Sequence, residues 1–283
     1  MTEIINYDGR EQSLIKHLIL KNYLQKLTYK IAIGLSRIRS TIVITYIDGF
    51  SGPWQTKTSD YSDTSFQIAI NELRTVRETL QKMNINLSLR CLFVEKEKQS
   101  FQRLEKHMQG INDIQVKLIH GEFETNISEA IKFAQSDGNM FTFTFIDPTG
   151  WTGFGMNAIR PLIRLKYSEI LINFMTKDVI RFIDDNRPEI KATFIDLFGD
   201  FEVQKLWLNL QSREREEAII SAYRQRLKEE SGFEYVADAI VLNPEKDRIQ
   251  FAMLPNKNDG SKIQTKVNCF KLRKLLVTII LKK

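Results

Sequence analysis

Ile42-Val43-Ile44-Thr45-Tyr46-Ile47-Asp48-Gly49-Phe50-Ser51-Gly52-Pro53-Trp54 is an apolar run delivered straight into a turn of small residues, with an acid at the junction. Three further runs repeat the form. Residues 89–94 end on Glu95, residues 114–119 on His120-Gly121-Glu122-Phe123, and residues 141–146 on Asp147-Pro148-Thr149-Gly150-Trp151. In open α/β sheets ligands sit outside the carboxyl ends of the strands, where short turns gather backbone amides and carboxylates from several strands. Four such junctions in a row predict a sheet that binds a dinucleotide or S-adenosylmethionine.

Between the runs lie helical patterns. Leu14, Leu18, Tyr23, Leu24, Leu27 and Ile31 mark an amphipathic helix over 10–33, and Phe66, Ile70, Leu73 and Val76 another over 64–82. Shorter helices are predicted over 98–108 and 127–135, a fifth strand over 170–174, a helical region from about Asp178, and a charged surface helix over 213–230. The loop 55–63 is polar. Strand–helix alternation implies a parallel sheet with crossover helices. Residues 235–242 and 248–253 read as extended runs around Asn243-Pro244-Glu245-Lys246-Asp247, which has the composition of a hairpin turn. Five parallel strands followed by an antiparallel hairpin form the Rossmann-like class I methyltransferase layout. The expected organisation is an N-terminal helical segment over 1–40, the α/β domain over 41–253, and a basic tail over 254–283.

Composition narrows the class. A chain of 283 residues that is 42% hydrophobic can bury a substantial core. No apolar run reaches the roughly 18 residues of a membrane span, and Met1-Thr2-Glu3 does not open a signal peptide. A cytoplasmic protein without membrane attachment is expected. Two cysteines, Cys91 and Cys269, fit a reducing compartment, and with no Cys-x-x-Cys and three scattered histidines no metal centre is expected. From Lys246 onward ten Lys or Arg face two acids, which accounts for the whole net charge of +6 and leaves residues 1–245 slightly acidic. Such a tail either contacts phosphate backbones or is simply solvated.

Each junction has a chemical reading and a plainer one. Asp48, Gly49, Phe50 and Gly52 resemble methyltransferase motif I, in which small residues let the backbone approach the cofactor; Trp54 stands where that motif ends in glycine. Glu95 matches an acid that accepts both ribose hydroxyls, as a carboxylate can, or is a solvent-exposed strand end like neighbouring Glu97. It lies 47 residues beyond Asp48 rather than about 20. Glu122 and Phe123 fall where the adenine would lie. Asp147-Pro148-Thr149-Gly150-Trp151 resembles the amino-methyltransferase motif, in which the carboxylate and a proline carbonyl hold the target amine and the aromatic stacks a flipped base. It is equally the turn that ends a buried strand.

Taken together, Lys16-His17, Leu20 and Tyr23-Leu24, then Tyr46-Ile47-Asp48-Gly49-Phe50-Ser51-Gly52-Pro53, Phe145-Ile146-Asp147-Pro148 with Gly150, Leu171-Ile172-Asn173-Phe174, Tyr223, Arg226-Leu227-Lys228 and Gly232-Phe233 resemble the three-Cys-motif partner family, TcmP. The resemblance spans about 10–253. It implies a methyltransferase-like fold, a bacterial source, and a three-Cys-motif (radical-SAM-like) protein as partner, to which the three cysteines belong. With the motifs it implies an S-adenosylmethionine-dependent methyltransferase acting on nucleic acid, DNA amino-methylation being the expected reaction. The cofactor would be held by Asp48, Gly49, Phe50, Gly52, Glu95, Glu122 and Phe123, and Asp147, Pro148 and Trp151 would serve catalysis. A non-catalytic partner subunit of a bacterial mobile-element or defence system is the alternative, favoured by Trp54 and Thr149. A nuclease lacks a clustered-carboxylate motif.

Overall fold

The computed structural model describes Tyr7 and residues 10–52, 56–199, 203–231, 235–236, 239–243 and 248–257. The chain divides into two compact units, Met1–Phe145 and Ile146–Lys283.

The first unit follows the expected alternation. In order come α1 (Glu11–Ser36), β1 (Thr41–Asp48), α2 (Ser65–Gln81), β2 (Asn86–Glu95), α3 (Lys98–Met108), β3 (Gln115–His120), α4 (Ile127–Ala134) and β4 (Phe141–Ile146). All pairings are parallel, in the order β3-β2-β1-β4, so the first strand is central. The register sets Asp48 beside Phe93 on one side and Phe145 on the other, and Glu95 beside His120. Strands covered on both faces need apolar residues at consecutive positions. Tyr46, Ile47, Leu92, Phe93, Val94, Phe145 and Ile146 are accordingly sealed from solvent.

Local chemistry sets the helix starts. The Thr64 hydroxyl accepts from the Gln67 amide to begin α2, and the Glu97 carboxylate accepts from the amides of Gln99 and Ser100 to begin α3. The polar loop ahead of α2 is anchored by buried Asp63. Its carboxylate accepts the Lys57 amide at 2.9 Å, the Thr58 hydroxyl at 2.8 Å, the Thr56 hydroxyl and the Arg10 guanidinium. Burial alone would raise this carboxyl, but the four donors outweigh it and hold it at about 2. Arg90, on β2, is likewise buried, donating to Gln115, Thr45, Ser136 and Asp137 and lying 4.1 Å from the centroid of the Phe133 ring.

The second unit holds α5 (Met156–Ile163), β5 (Ser168–Phe174), α6 (Thr176–Arg181), α7 (Pro188–Phe198), α8 (Val203–Leu208), α9 (Ser212–Ser231), β6 (Tyr235–Val236), β7 (Ala239–Asn243) and β8 (Arg248–Lys257). β8 lies antiparallel between β5 and the β6/β7 edge, with a register shift between Val241 and Leu242. β7 and β8 form the expected hairpin, Asn243 opposite Arg248; its tip, 244–247, lies outside the described residues, as does the tail beyond Lys257. Strand pairing runs past the expected limit of 253, to Lys257.

α9 departs from the sequence expectation of a charged surface helix. Ile219, Ile220, Tyr223 and Leu227 are buried, with Ile219, Tyr223 and Leu227 an apolar stripe at i, i+4 spacing inside a charged sequence, and Glu216 is buried beside them. Tyr223 stacks on Phe174 with ring centroids 4.4 Å apart, and Phe194, Phe198 and Trp207 continue the aromatic core. The fold class is the expected one: α/β, Rossmann-like, mostly parallel, with a C-terminal antiparallel hairpin and an N-terminal helix.

Candidate functional site

The carboxyl ends of β1, β2 and β3 are stitched together in the first unit. Asp48, the last residue of β1, is fully buried, and its carboxylate accepts the Phe50 amide at 3.0 Å, the Ser65 hydroxyl at 2.7 Å and the Tyr46 hydroxyl at 3.3 Å. These bonds fix the turn after β1 and tie it to the first residue of α2. Gly49 donates its amide to the Phe145 carbonyl at 3.0 Å, and Ser51 donates to the Val94 carbonyl at 2.9 Å, so the turn crosses the end of β2. From the far side, Gly121 donates to the Glu95 carbonyl at 3.0 Å.

Phe123 then reaches back over this crossing. A Cβ on Gly49 would stand 2.9 Å from two atoms of the Phe123 ring, closer than carbon contacts allow. Phe50 packs on the same ring, centroids 5.7 Å apart, and Phe123 is buried. The bareness of Gly49 therefore admits Phe123. Gly52 is half-buried and Glu122 exposed, while Pro53, Trp54 and Gln55 lie outside the described residues.

Glu95 sits between the two crossing loops. It is buried, its Oε1 accepts the Glu97 amide at 2.6 Å, and no side chain among the described residues donates to it. Burial raises its carboxyl above the usual range, against the pull of the backbone amides. Glu97 is the opposite case: exposed and engaged in capping α3, with its carboxyl lowered by the Gln99 and Ser100 amides. The two neighbouring acids thus divide into a helix cap and a buried acceptor with unused capacity. His120, opposite Glu95 in the register, is exposed and stacks on Phe101 at 4.8 Å.

The second unit contains the other cluster. Asp147 is half-buried, and its Oδ1 accepts the Asn173 amide at 2.6 Å; that amide also lies 3.3 Å from the Met175 sulfur. Asn173 lies within the apolar stretch of β5, next to its last residue Phe174, and is fully buried, as is Thr176 at the start of α6. The Asn173 carbonyl and the Thr176 hydroxyl find no hydrogen-bond partner among the described residues, a cost of about 1–3 kcal/mol each unless something else engages them. Pro148 is buried and Thr149 exposed. Trp151, expected to stack a base, is instead packing: it is 5% exposed, with Phe182 parallel to it at 5.5 Å and Phe194 edge-on at 5.0 Å.

Sequence reasoning assigned no role to Ser65, Asn173 or Thr176. The signal for Asn173 was present: an amide in the otherwise apolar run Ile170-Leu171-Ile172-Asn173-Phe174, where burial demands a reason. Ser65 and Thr176 gave none, because hydroxyls at helix starts are ordinary.

No family model matches the chain, and no curated protein matches its sequence. Among solved structures it is similar to a Thermobifida fusca protein proposed to be a methyltransferase, at 9% identity and a TM-score of 0.39, covering 88% of this chain and 87% of that one. It is similar to a loganic acid methyltransferase with SAH, at 8% identity and a TM-score of 0.38, covering 90% and 97%. A third similarity is to the E81Q mutant of MtNAS, at 14% identity and a TM-score of 0.30, covering 91% of this chain and 68% of that one. No helix among the described residues is long and apolar enough to cross a membrane.

Proposed function

We propose that this protein is a three-Cys-motif partner protein whose first unit binds S-adenosylmethionine, and that with its partner it methylates an exocyclic amine of a nucleic acid, DNA in the first instance. The observation that carries the cofactor reading is Glu95: a buried carboxylate with spare acceptor capacity, at the end of β2, between loops from β1 and β3. A vicinal diol supplies the two donors such a group lacks. The residues present therefore fit the group. Glu95 would hold its ribose, and Gly52 lies in the turn that crosses the end of β2 beside it. When bound, S-adenosylmethionine supplies an activated methyl group.

In the second unit, Asn173 fixes the Asp147 carboxylate by donating to one oxygen. So fixed, Asp147 would accept a proton of the target amine and orient its lone pair. Positioning of this kind accounts for much of the rate where the leaving group is already good. A cytoplasmic location accords with this reading.

A second reading is a non-catalytic partner subunit that keeps the fold. Trp151 favours it, because the aromatic of the Asp147 motif is committed to Phe182 and Phe194 rather than offered to a base. Calorimetric titration of S-adenosylmethionine into the full chain, with and without the partner, tests the first reading. Saturable heat is expected, and its absence in both cases overturns the cofactor assignment. Binding without incorporation of tritiated methyl groups into DNA or RNA would favour the second.

A further inference from the structure

The overall charge balance conceals a second basic region. Residues 12–47 contain six Lys or Arg and no Asp or Glu, although residues 1–245 as a whole are slightly acidic. All six cations lie in α1 or in the residues between it and β1. At 100° per residue, Lys26, Lys30 and Arg37 project within about 40° of one another. All three are exposed, as are Arg39 and the intervening Gly34, where a Cβ would meet nothing within 4 Å. None of the four cations forms an ion pair among the described residues; Lys21, on another side of the helix, lies 3.6 Å from Glu72.

We propose that this face of α1 docks the phosphodiester backbone of a nucleic acid. The helical rise spaces Lys26 from Lys30 by about 6 Å and from Arg37 by about 16 Å, a row of point charges along a polyanion. An isolated helix with this many like charges gains nothing from them internally, since like-charge neighbours at i, i+4 repel. Arg37 and Arg39 lie where the helix dipole favours cations, but Lys26 and Lys30 lie mid-helix and have no such reason. An anionic bilayer fits less well, because interfacial helices need apolar side chains to insert. Here Ile19, Tyr23 and Ile33, on the same side as the lysines, are half-buried against the fold, with Tyr23 5.9 Å from the Phe143 ring. Ile38, 72% exposed, stands between the two arginines, and one isoleucine is little to insert.

This surface rests on the reading of nucleic acid as the target, but not on the cofactor. The test uses the full chain, its double variant Lys26→Gln/Lys30→Gln, and the charge-retaining Lys26→Arg/Lys30→Arg. Anisotropy of a short labelled DNA duplex and of its single strand is followed across a salt series, with thermal unfolding of each variant measured alongside. Neutralising two phosphate contacts should flatten the slope of log K against log salt for the duplex by about 2, while the arginine variant keeps the parent slope. The proposal is overturned if the folded glutamine variant retains the parent slope and affinity, or if the parent binds neither probe. Loss of binding to phosphatidylserine vesicles, with nucleic-acid binding unchanged, would also overturn it and assign the face to a membrane. Calorimetry with S-adenosylmethionine on the same variants should be unchanged, so failure of the docking surface and failure of the cofactor reading are separately visible.

Discussion

Glu95→Gln should make the protein more stable and a poorer binder at the same time. The carboxylate is buried, burial raises its pKa against the pull of nearby backbone amides, and its Oε1 accepts from the Glu97 amide. A glutamine carbonyl can accept that amide equally well. The substitution removes a charge whose ionised form is penalised in the folded state and leaves the local bond in place. The sign follows from proton linkage: a carboxyl with a raised folded pKa binds its proton more tightly folded than unfolded, so stability falls as pH rises from the unfolded pKa through the folded one. Above that window the parent bears the full penalty and the variant none. The Glu95→Gln protein should therefore melt higher than the parent at pH 8, with the two curves converging below the unfolded value of about 4.3. Binding should move the other way. Losing hydrogen bonds to a charged acceptor costs about 1.5–3 kcal/mol, or roughly 10- to 150-fold in the dissociation constant of S-adenosylmethionine. Thermal melts at several pH values and calorimetric titration read the two effects independently. A variant that is less stable than the parent at pH 8 while binding the cofactor undiminished would refute the reasoning, since Glu95 would then be a structural acid.

Further outcomes follow from the same geometry. Gly49→Ala should cost about 1–3 kcal/mol of stability through overpacking against the buried Phe123 ring, and Phe123→Leu in the same chain should restore part of it; a denaturant midpoint unmoved by Gly49→Ala would show that the glycine serves something else. Asp63, held at about 2 against an ordinary 3.8, should lend a pH-dependent part of on the order of 2 kcal/mol, present above pH 4 and lost as pH falls through about 2, so Asp63→Ala should flatten the acid limb of the stability curve and its deficit against the parent should shrink as pH falls from about 5 to about 2. Asp147→Ala should abolish methyl incorporation while leaving cofactor affinity within about twofold, whereas Trp151→Ala should cost about 3–5 kcal/mol of stability; a folded Trp151→Ala protein impaired only in substrate binding would return that ring to the role its motif suggested.

The strands were legible because parallel strands covered on both faces must be continuously apolar, and a polar residue followed by a turn ends each of the first four runs. Phe141–Ile146 and Lys98–Met108 fall where the pattern places them. The helices between Asp147 and Ser212 were not separable: α5 and α7 are short, Pro161 interrupts the first, and the apolar residues of α7 serve a shared aromatic core rather than one clean stripe. α9 failed for the reverse reason, since a charged average hid the Ile219, Tyr223, Leu227 stripe. At the site, residue types were readable but not their obligations. Glu95 and Glu97 are chemically identical on the page, and only the amides of α3 reveal that one of them is already engaged. Glycine after β1 suggested room for a ligand, where the room belongs to Phe123. Tryptophan after Asp147 suggested a platform, where Phe182 and Phe194 occupy it.

The pairing of Gly49 with Phe123 carries an evolutionary corollary. Two positions on different loops are locked by a single steric relation, so neither can drift alone. Lineages that keep an aromatic at 123 should keep glycine at 49, and any that acquire alanine or serine at 49 should show a narrower side chain at 123, leaving a covariation signal between the turns that follow β1 and β3. That signal would track the architecture of the loop crossing rather than any catalytic activity, and should be the same in relatives that turn over a substrate and in relatives that do not.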